Sequence, residues 1–172
     1  MGLAGEKPPL RQPAAWVVDR LGRCVSWLML LMTLLIFAVV LLRYGFNLGW
    51  IWMQETVTYL HAAVFMVAAA WAFQTGDHVR VDIFYRDRSQ RYRNAVDLAG
   101  ILLFLIPFSV FLLLVSWDYV AASWAMRESS REPGGLPLVW LLKGLLLLLP
   151  GLLLLQAGSS AWRLVSDLRS SR

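Results

Sequence analysis

The chain has 172 residues, of which 59% are hydrophobic and 16% are charged. This speaks against a soluble globular domain, in which about 45–50% of residues are apolar and about 25% are charged. The net charge of +5 is compatible with binding to nucleic acid, with binding to anionic lipid or with control of membrane topology. The placement of the basic residues decides between these three. The length fits one structural unit, and the single Cys24 excludes an internal disulfide.

The first segment, MGLAGEKPPLRQP, is rich in proline and glycine and predicts a flexible tail over residues 1–19. An uncharged run then extends from Cys24 to Leu42, between Arg23 and Arg43. Since a membrane-spanning helix needs roughly 20 apolar residues, this run predicts the first crossing. It is too long for the apolar part of a signal peptide, so an uncleaved anchor is predicted.

Three further apolar runs are each long enough to cross a membrane: Leu48–Gln74, Leu98–Trp117 and Leu136–Trp162. Only Glu55 and His61 interrupt the second run, and only Lys143 interrupts the fourth. The runs are apolar on all sides, which favours helices in lipid over amphipathic surface helices. The sequence therefore predicts an all-α membrane protein with a four-helix transmembrane domain over residues 20–165 and a short tail over residues 166–172.

The connections between the runs also carry structural signals. GDHVRVD, residues 76–82, alternates polar and apolar residues, but no partner strand is predicted, so we expect an irregular interfacial segment between helices 2 and 3. Ser89 is a candidate N-cap for the third helix, which should extend beyond Trp117 toward Met126. REPGGLP, residues 131–137, predicts a turn.

The prolines and leucines of the last two runs give two further expectations. Pro107 and Pro150 lie within apolar runs and are candidate kink sites. The fourth run contains LLKGLLLLLPGLLLLQ, and this leucine content predicts that the fourth helix faces lipid.

Most of the 16 basic residues fall in the two tails and in the connection between the second and third runs. With four crossings these three regions lie on one side of the membrane. Because Lys and Arg are enriched in cytoplasmic loops, both termini are predicted to be cytoplasmic. The net positive charge is thus interpreted as a topology signal, and no nucleic-acid partner is predicted.

Glu55 and Lys143 are charged residues within the predicted crossings, which makes them candidates for functional contacts. Each lies about 10 Å along its helix from the same side of the membrane, so their depths are similar. Three interpretations remain open. The two side chains pair with each other, each contacts a polar group of another subunit, or both extend to the headgroups.

Neither catalysis nor a bound cofactor is predicted. The sequence contains none of the motifs of hydrolases, zinc proteases or nucleotide-binding enzymes. Asp77, His78 and Asp82 are metal-ligand types, but no further histidine or cysteine cluster completes a site. His61 alone cannot supply both axial ligands of a bis-histidine haem. Without a repeat or a polar site at mid-membrane depth, the chain is interpreted as a helper of a larger protein.

Three segments in order, RYGFN (Arg43–Asn47), WIWMQETVTYLHAA (Trp50–Ala63) and GDHVRVD (Gly76–Asp82), resemble the DctQ-type small membrane subunit of TRAP transporters, the tripartite ATP-independent periplasmic carriers. SREPGGLPLVWLLKG (Ser130–Gly144) resembles one branch of that family, which hints at 2-oxo acids or similar carboxylates as solutes. The resemblance extends from about Arg20 to Trp162.

The resemblance implies a sodium-coupled importer of an organic acid in the bacterial inner membrane. A large multi-helix subunit carries the sodium and substrate sites, a periplasmic binding protein delivers the solute, and the small subunit is a fixed scaffold in an obligate complex. Structural and assembly roles, rather than substrate contact, are implied for the residues that match the family pattern: Arg43, Asn47, Glu55, Gly76, His78, Arg80 and Asp82. Lys143 joins them as the candidate partner of Glu55.

Two other functions remain open from the sequence. The chain could be a stand-alone, homo-oligomeric membrane carrier or channel, which predicts flux in liposomes that contain this chain alone. It could also be the membrane-anchor subunit of an enzyme complex.

Overall fold

Long helices form most of residues 13–75 and 88–170, which are the residues that the computed structural model describes. In chain order they are α1 (Pro13–Gly45), α2 (Ile51–Thr75), α3 (Gln90–Gly100), α4 (Ile106–Ala125) and α5 (Val139–Ser170), with a π-helical turn (Ile101–Leu105) between α3 and α4. Within these residues, four helical stretches are long and apolar enough to cross a membrane. The prediction of an all-α membrane protein with four crossings is confirmed.

The third crossing is one continuous helical rod that contains a wide turn before Pro107. Proline has no N–H group, so the regular bond to the carbonyl four residues earlier cannot form at this position. The Ile106 N–H instead bonds to the Ile101 carbonyl, five residues back. Ser89 caps the rod by accepting the Tyr92 N–H at 3.4 Å, as predicted, and the rod ends at Ala125, where the predicted extension toward Met126 is confirmed.

In three crossings, one charged residue marks each end of the apolar part. The two charged residues of a crossing are about 30 Å apart along the helix. This distance matches the thickness of the hydrocarbon core, about 30 Å. We call the end of the molecule that carries residues 126–138 the loop end, and the opposite end, where α1 begins and α5 finishes, the termini end. The pairs, each written from the termini end to the loop end, are Arg23–Arg43, Asp97–Asp118 and Arg163–Lys143.

Helix α5 is the central helix, and the prediction that it faces lipid is wrong. It contacts α1, α2, α3 and α4, whereas among the described helices no Cα atom of α1 lies within 8 Å of a Cα atom of α4. In the most apolar stretch of α5, 22% of residues are buried inside the chain, against 6% in α1. Leucine content is a poor guide here because helices gain little hydrophobic free energy from meeting each other in lipid. Close packing of side chains decides instead which face of α5 is buried. That face includes Ala157, which is fully buried, and Leu153 and Ser160, which lie one turn to either side of it.

Helices α1 and α2 pack closely near the termini end. Gly22 of α1 lies directly against the indole ring of Trp71, and a Cβ atom at Gly22 would overlap that ring. Val18 is fully buried in the same cluster, together with Leu152 of α5. A small residue that lets two helix backbones approach is a common device for helix association in membranes.

Both tails are more helical than the sequence predicted. Helix α1 begins at Pro13, inside the tail predicted over residues 1–19, and the burial of Val18 shows that this extension packs against the rest of the chain. Helix α5 likewise continues to Ser170, and buried Leu164 packs against Leu98 near the termini end. These helical extensions project the termini end past the hydrocarbon core.

Candidate functional site

Residues 126–138, which we call the α4–α5 loop, form a compact turn at the loop end. The Glu128 N–H bonds to the Ser123 carbonyl at 3.1 Å, and this bond continues the end of α4 into the loop. The Ser130 N–H bonds to the Leu136 carbonyl at 3.0 Å and closes the turn across its base. Gly134 adopts a φ of 79°, a left-handed conformation that glycine takes without steric cost, so the predicted turn is confirmed.

The Glu55 carboxylate of α2 holds this loop at two points. Its Oε1 accepts the Ser130 hydroxyl, and its Oε2 accepts the Leu136 N–H at 2.6 Å. Hydrogen bonds to an ionised carboxylate are stronger than those between neutral groups. The Glu55 side chain is therefore satisfied within the chain, by the base of the turn.

Gly135 is needed for space rather than for backbone freedom. A Cβ atom there would overlap the Ser130 side chain and would lie 2.8 Å from Glu55 Oε1. The two glycines of the turn thus have different roles. Gly134 permits the left-handed bend, and Gly135 makes room for the contact between Glu55 and Ser130.

Lys143 of α5 pairs with Glu128 of the loop, so the hypothesis that it pairs with Glu55 is wrong. The Lys143 Nζ lies 2.5 Å from Glu128 Oε2 and 4.0 Å from the centre of the Tyr119 ring. The hydrogen bond from Lys143 holds the pKa of Glu128 below its ordinary value of 4.5. The loop lies between the two residues, and so each of them meets the loop instead of the other.

Aromatic side chains support the loop beside the ion pair. The Trp124 and Trp140 rings meet edge to face, with centroids 4.8 Å apart and an interplanar angle of 82°. The Arg127 guanidinium lies 5.3 Å from the Trp140 ring centre, and the Trp140 indole N–H donates to the Pro137 carbonyl at 3.2 Å. Tryptophan suits this level because its ring is half buried while its N–H finds a polar partner.

Arg43 and Asn47 lie at the connection between α1 and α2, also at the loop end. Asn47 has a φ of 55°, a left-handed conformation that asparagine tolerates better than most residues. The Leu48 N–H returns to the Leu42 carbonyl at 2.9 Å and closes the end of α1. Arg43 lies in the last turn of α1, where a positive charge is favourable to the helix dipole.

The other predicted site residues, Gly76, His78, Arg80 and Asp82, lie outside the described residues, and so does the predicted interfacial segment. The roles proposed for them stay predictions. Over residues 13–75 and 88–170, no group of three histidine, cysteine or acidic side chains could hold a metal ion.

The contacts of Glu55 and Lys143 with the α4–α5 loop and with Tyr119 form what we call the α4–α5 loop network. Several residues of this network were missed by sequence reasoning. Ser130, Glu128 and Tyr119 each contact one of the two charged residues that the sequence singled out, Glu55 and Lys143. The available signal was the polar composition of SREPGGLP next to a predicted crossing. A half-buried carboxylate near a loop rich in serine and glycine can be met by hydroxyl and backbone N–H donors without any basic residue.

Comparison with known proteins identifies the family to which the chain belongs. A family model described as "Tripartite ATP-independent periplasmic transporters, DctQ component" matches residues 32–167. The chain is also 33% identical over 95 residues to the C4-dicarboxylate TRAP transporter small permease protein DctQ of Vibrio cholerae serotype O1 (strain ATCC 39315 / El Tor Inaba N16961). That match covers 55% of this chain and 40% of the relative's length. No solved structure matches the chain.

The family match and the structure agree on what kind of protein this is. The family is one of transporters rather than enzymes, and its members act within complexes of several subunits. The four apolar helices make the chain a multi-pass membrane protein. The chain belongs to the DctQ family, the small membrane component of TRAP transporters.

Proposed function

We propose that this chain is the scaffold subunit of a sodium-coupled TRAP transporter that imports an organic acid across the bacterial inner membrane. A large multi-helix membrane subunit binds and moves the solute and the sodium ions, and a periplasmic binding protein delivers the solute. The organic-acid class is supported by the relative from Vibrio cholerae, whose name specifies C4-dicarboxylates. Both termini lie in the cytoplasm, as the distribution of basic residues favours.

The observation that carries the scaffold role is the use of Glu55 and Lys143 within the α4–α5 loop network. A charged residue inside a membrane protein commonly marks an ion or substrate pathway. Here the Glu55 carboxylate holds the Ser130 hydroxyl and the Leu136 N–H, and Lys143 holds Glu128. These charges connect parts of one chain, which suits a rigid support and leaves the ion and solute sites to the large subunit.

Helix α1 and the third crossing lie at the two edges of the bundle, and each offers a wide apolar face to a large membrane partner. Phe37 on α1 is 65% exposed and Phe104 in the third crossing is 74% exposed, whereas Leu152 of α5 is buried. A photo-reactive phenylalanine derivative at Phe37 or Phe104 should crosslink to the large subunit from at least one edge. The same derivative at Leu152 should give no crosslink. Absence of a crosslink from both edges would contradict the scaffold role.

The deciding experiment is reconstitution of transport. Proteoliposomes with this chain and the large subunit, supplied with the binding protein and a sodium gradient, should take up the organic acid. Proteoliposomes that lack either membrane subunit should not. Flux through this chain alone would establish a stand-alone carrier instead, and full uptake by the large subunit without this chain would contradict the scaffold role.

At the loop end, exposed charges of the α4–α5 loop support contact with the binding protein. Arg127, Arg131 and Glu132 are exposed beside the fixed turn. Charged groups around an interface mainly raise the association rate and make it sensitive to salt. Charge reversal at Arg131 should therefore slow solute delivery at low salt, measured as the dependence of uptake on binding-protein concentration. An unchanged dependence would show that the loop is not a docking surface.

A further inference from the structure

A groove of about 490 Å³ lies between α3 and α5 at the termini end. It falls in the usual size range of ligand sites, roughly 300–1,000 Å³. Arginines stand at one end of the groove and apolar side chains form its walls. The lining residues are Arg91, Ala95 and Leu98 of α3, and Val165, Leu168 and Arg169 of α5.

The depth of the groove matches the boundary between hydrocarbon and headgroups. Leu98 begins the uncharged stretch of the third crossing, at the edge of the core. Arg91 lies about 9 Å beyond Asp97, and Arg169 lies about 9 Å beyond Arg163, both away from the core. Headgroups occupy about 5–8 Å on each side of the hydrocarbon, so flexible arginine side chains at this position reach the phosphate level.

The described lining of the groove carries positive charge and no acidic side chain. The six lining residues include two guanidinium groups and no carboxylate. Within the described part of the chain, neither Arg91 nor Arg169 takes part in an ion pair. The neighbouring arginines are engaged elsewhere, since Arg88 lies 6.0 Å from the Tyr92 ring centre and the Arg93 Nε donates to the Arg88 carbonyl at 3.2 Å. Two guanidinium groups from two helices, neither of them paired with a described carboxylate, form a good clamp for a phosphate.

We propose that this groove binds an anionic phospholipid. The phosphate and headgroup lie between Arg91 and Arg169, and an acyl chain runs along Ala95, Leu98 and Val165 toward the core. Basic pockets between membrane helices recognise anionic lipids by this combination of charge and apolar surface. The site is separate from the α4–α5 loop network and goes beyond the transport function proposed above.

A lipid fits the groove better than a free phosphate does. Ala95, Leu98, Val165 and Leu168 offer no hydrogen bond to a small anion, but they can contact methylene groups. A bound lipid would also bridge α3 and α5, which are far apart along the chain. It would thereby hold the amphipathic start of the third crossing against the end of the fourth.

The test is native mass spectrometry of the full-length chain in mild detergent. The protein is titrated with equal amounts of phosphatidylglycerol and phosphatidylcholine that have the same acyl chains. The double variant R91Q/R169Q should bind phosphatidylglycerol about 30-fold more weakly than the unmodified chain does, because each arginine near an anionic headgroup contributes about fivefold in affinity. The control R131Q/R163Q also loses two positive charges, but outside the groove, and should bind as the unmodified chain does.

Two further measurements distinguish the groove from general surface charge and from a small-anion site. The variant A95W keeps both arginines and fills the groove at an exposed position, so it should lose phosphatidylglycerol binding while its helical circular dichroism is unchanged. A large excess of inorganic phosphate should not displace the lipid. Equal losses in R91Q/R169Q and R131Q/R163Q, full binding by A95W, or displacement by phosphate would each overturn the proposal.

Discussion

The Glu55 carboxylate of α2 accepts the Leu136 N–H at 2.6 Å, although 81 positions separate the two residues in the chain. The same carboxylate accepts the Ser130 hydroxyl. In the described residues, no Cα atom of α2 lies within 8 Å of a Cα atom of α4. Glu55 therefore links the second crossing to the connection between the third and the fourth, and this link is the clearest target for mutation.

Replacement of Glu55 by Ala should lower the free energy of unfolding by about 2–3 kcal/mol, because the Ser130 hydroxyl and the Leu136 N–H lose a charged acceptor. Glu55→Gln keeps one oxygen and should cost about half as much. Thermal unfolding in detergent measures both. Gln54→Ala, at the exposed neighbouring position, is the matched control and should change little. Equal melting temperatures for Glu55→Ala and Gln54→Ala would show that the link does not stabilise the fold.

The two glycines of the turn should respond to alanine for different reasons. Gly135→Ala pushes a Cβ atom into Ser130 and toward Glu55, so it should weaken the same link that Glu55→Ala removes. Gly134→Ala has free space but should cost about 1–2 kcal/mol for its left-handed backbone.

A double-mutant cycle separates these two cases. When Glu55→Ala is already present, Gly135→Ala should cost less, and Gly134→Ala should cost the same as before. Gly49→Ala, which meets nothing within 4 Å, is the control and should be neutral. Full additivity for Gly135 would contradict its spatial role.

The ion pair between Lys143 and Glu128 should make stability depend on pH. The pKa of Glu128 is lowered in the folded chain by the hydrogen bond from Lys143, relative to the ordinary value of 4.5. Its stabilisation is therefore present above about pH 4.5 and is lost as the pH falls through the lowered pKa. Lys143→Met removes the partner, so its melting temperature should fall less than that of the unmodified chain between about pH 6 and pH 3. Parallel melting curves for the two proteins over this range would contradict the assignment.

Gly22 should be intolerant of any side chain, because a Cβ atom there meets the Trp71 ring. Gly22→Leu should separate α1 from α2 and cost about 1–3 kcal/mol, as overpacking does in well-packed cores. Gly45→Leu, at the other end of α1, is the control, because a Cβ atom there has only an ordinary contact at 3.8 Å. A crosslink between cysteines in α1 and α2 near Gly22 should form more slowly in Gly22→Leu and at an unchanged rate in the control.

The number and ends of the crossings could be predicted from the sequence because length and hydropathy control insertion into a membrane. Arg23, Arg43 and Ser89 each mark a boundary by a local property, either charge or a capping hydroxyl. Such signals depend on a few neighbouring residues. For this reason the four crossings and the end of the third helix agree with the prediction.

The arrangement of the helices could not be predicted, since lipid and protein offer similar apolar surroundings to a leucine. The sequence of α5 is rich in leucine whether it lies at an edge or at the centre. The partners of Glu55 and Lys143 were missed for a related reason. Opposite charge at equal depth suggested a pair, but the path of residues 126–138 places Ser130 next to one and Glu128 next to the other.

The central position of α5 has a consequence for biosynthesis. Helix α5, which contacts each of the other described helices, is synthesised after all of them. During translation α1 and α2 can already pack together, because their contact includes Gly22 and Trp71. Glu55 of α2 is already present to bind the Ser130 hydroxyl and the Leu136 N–H, but Glu128 of the same loop has to wait for Lys143 of α5. A nascent chain that stops before Lys143 leaves Glu128 without its partner and the third crossing without the helix it packs against, so synthesis of α5 completes the assembly of the described helices.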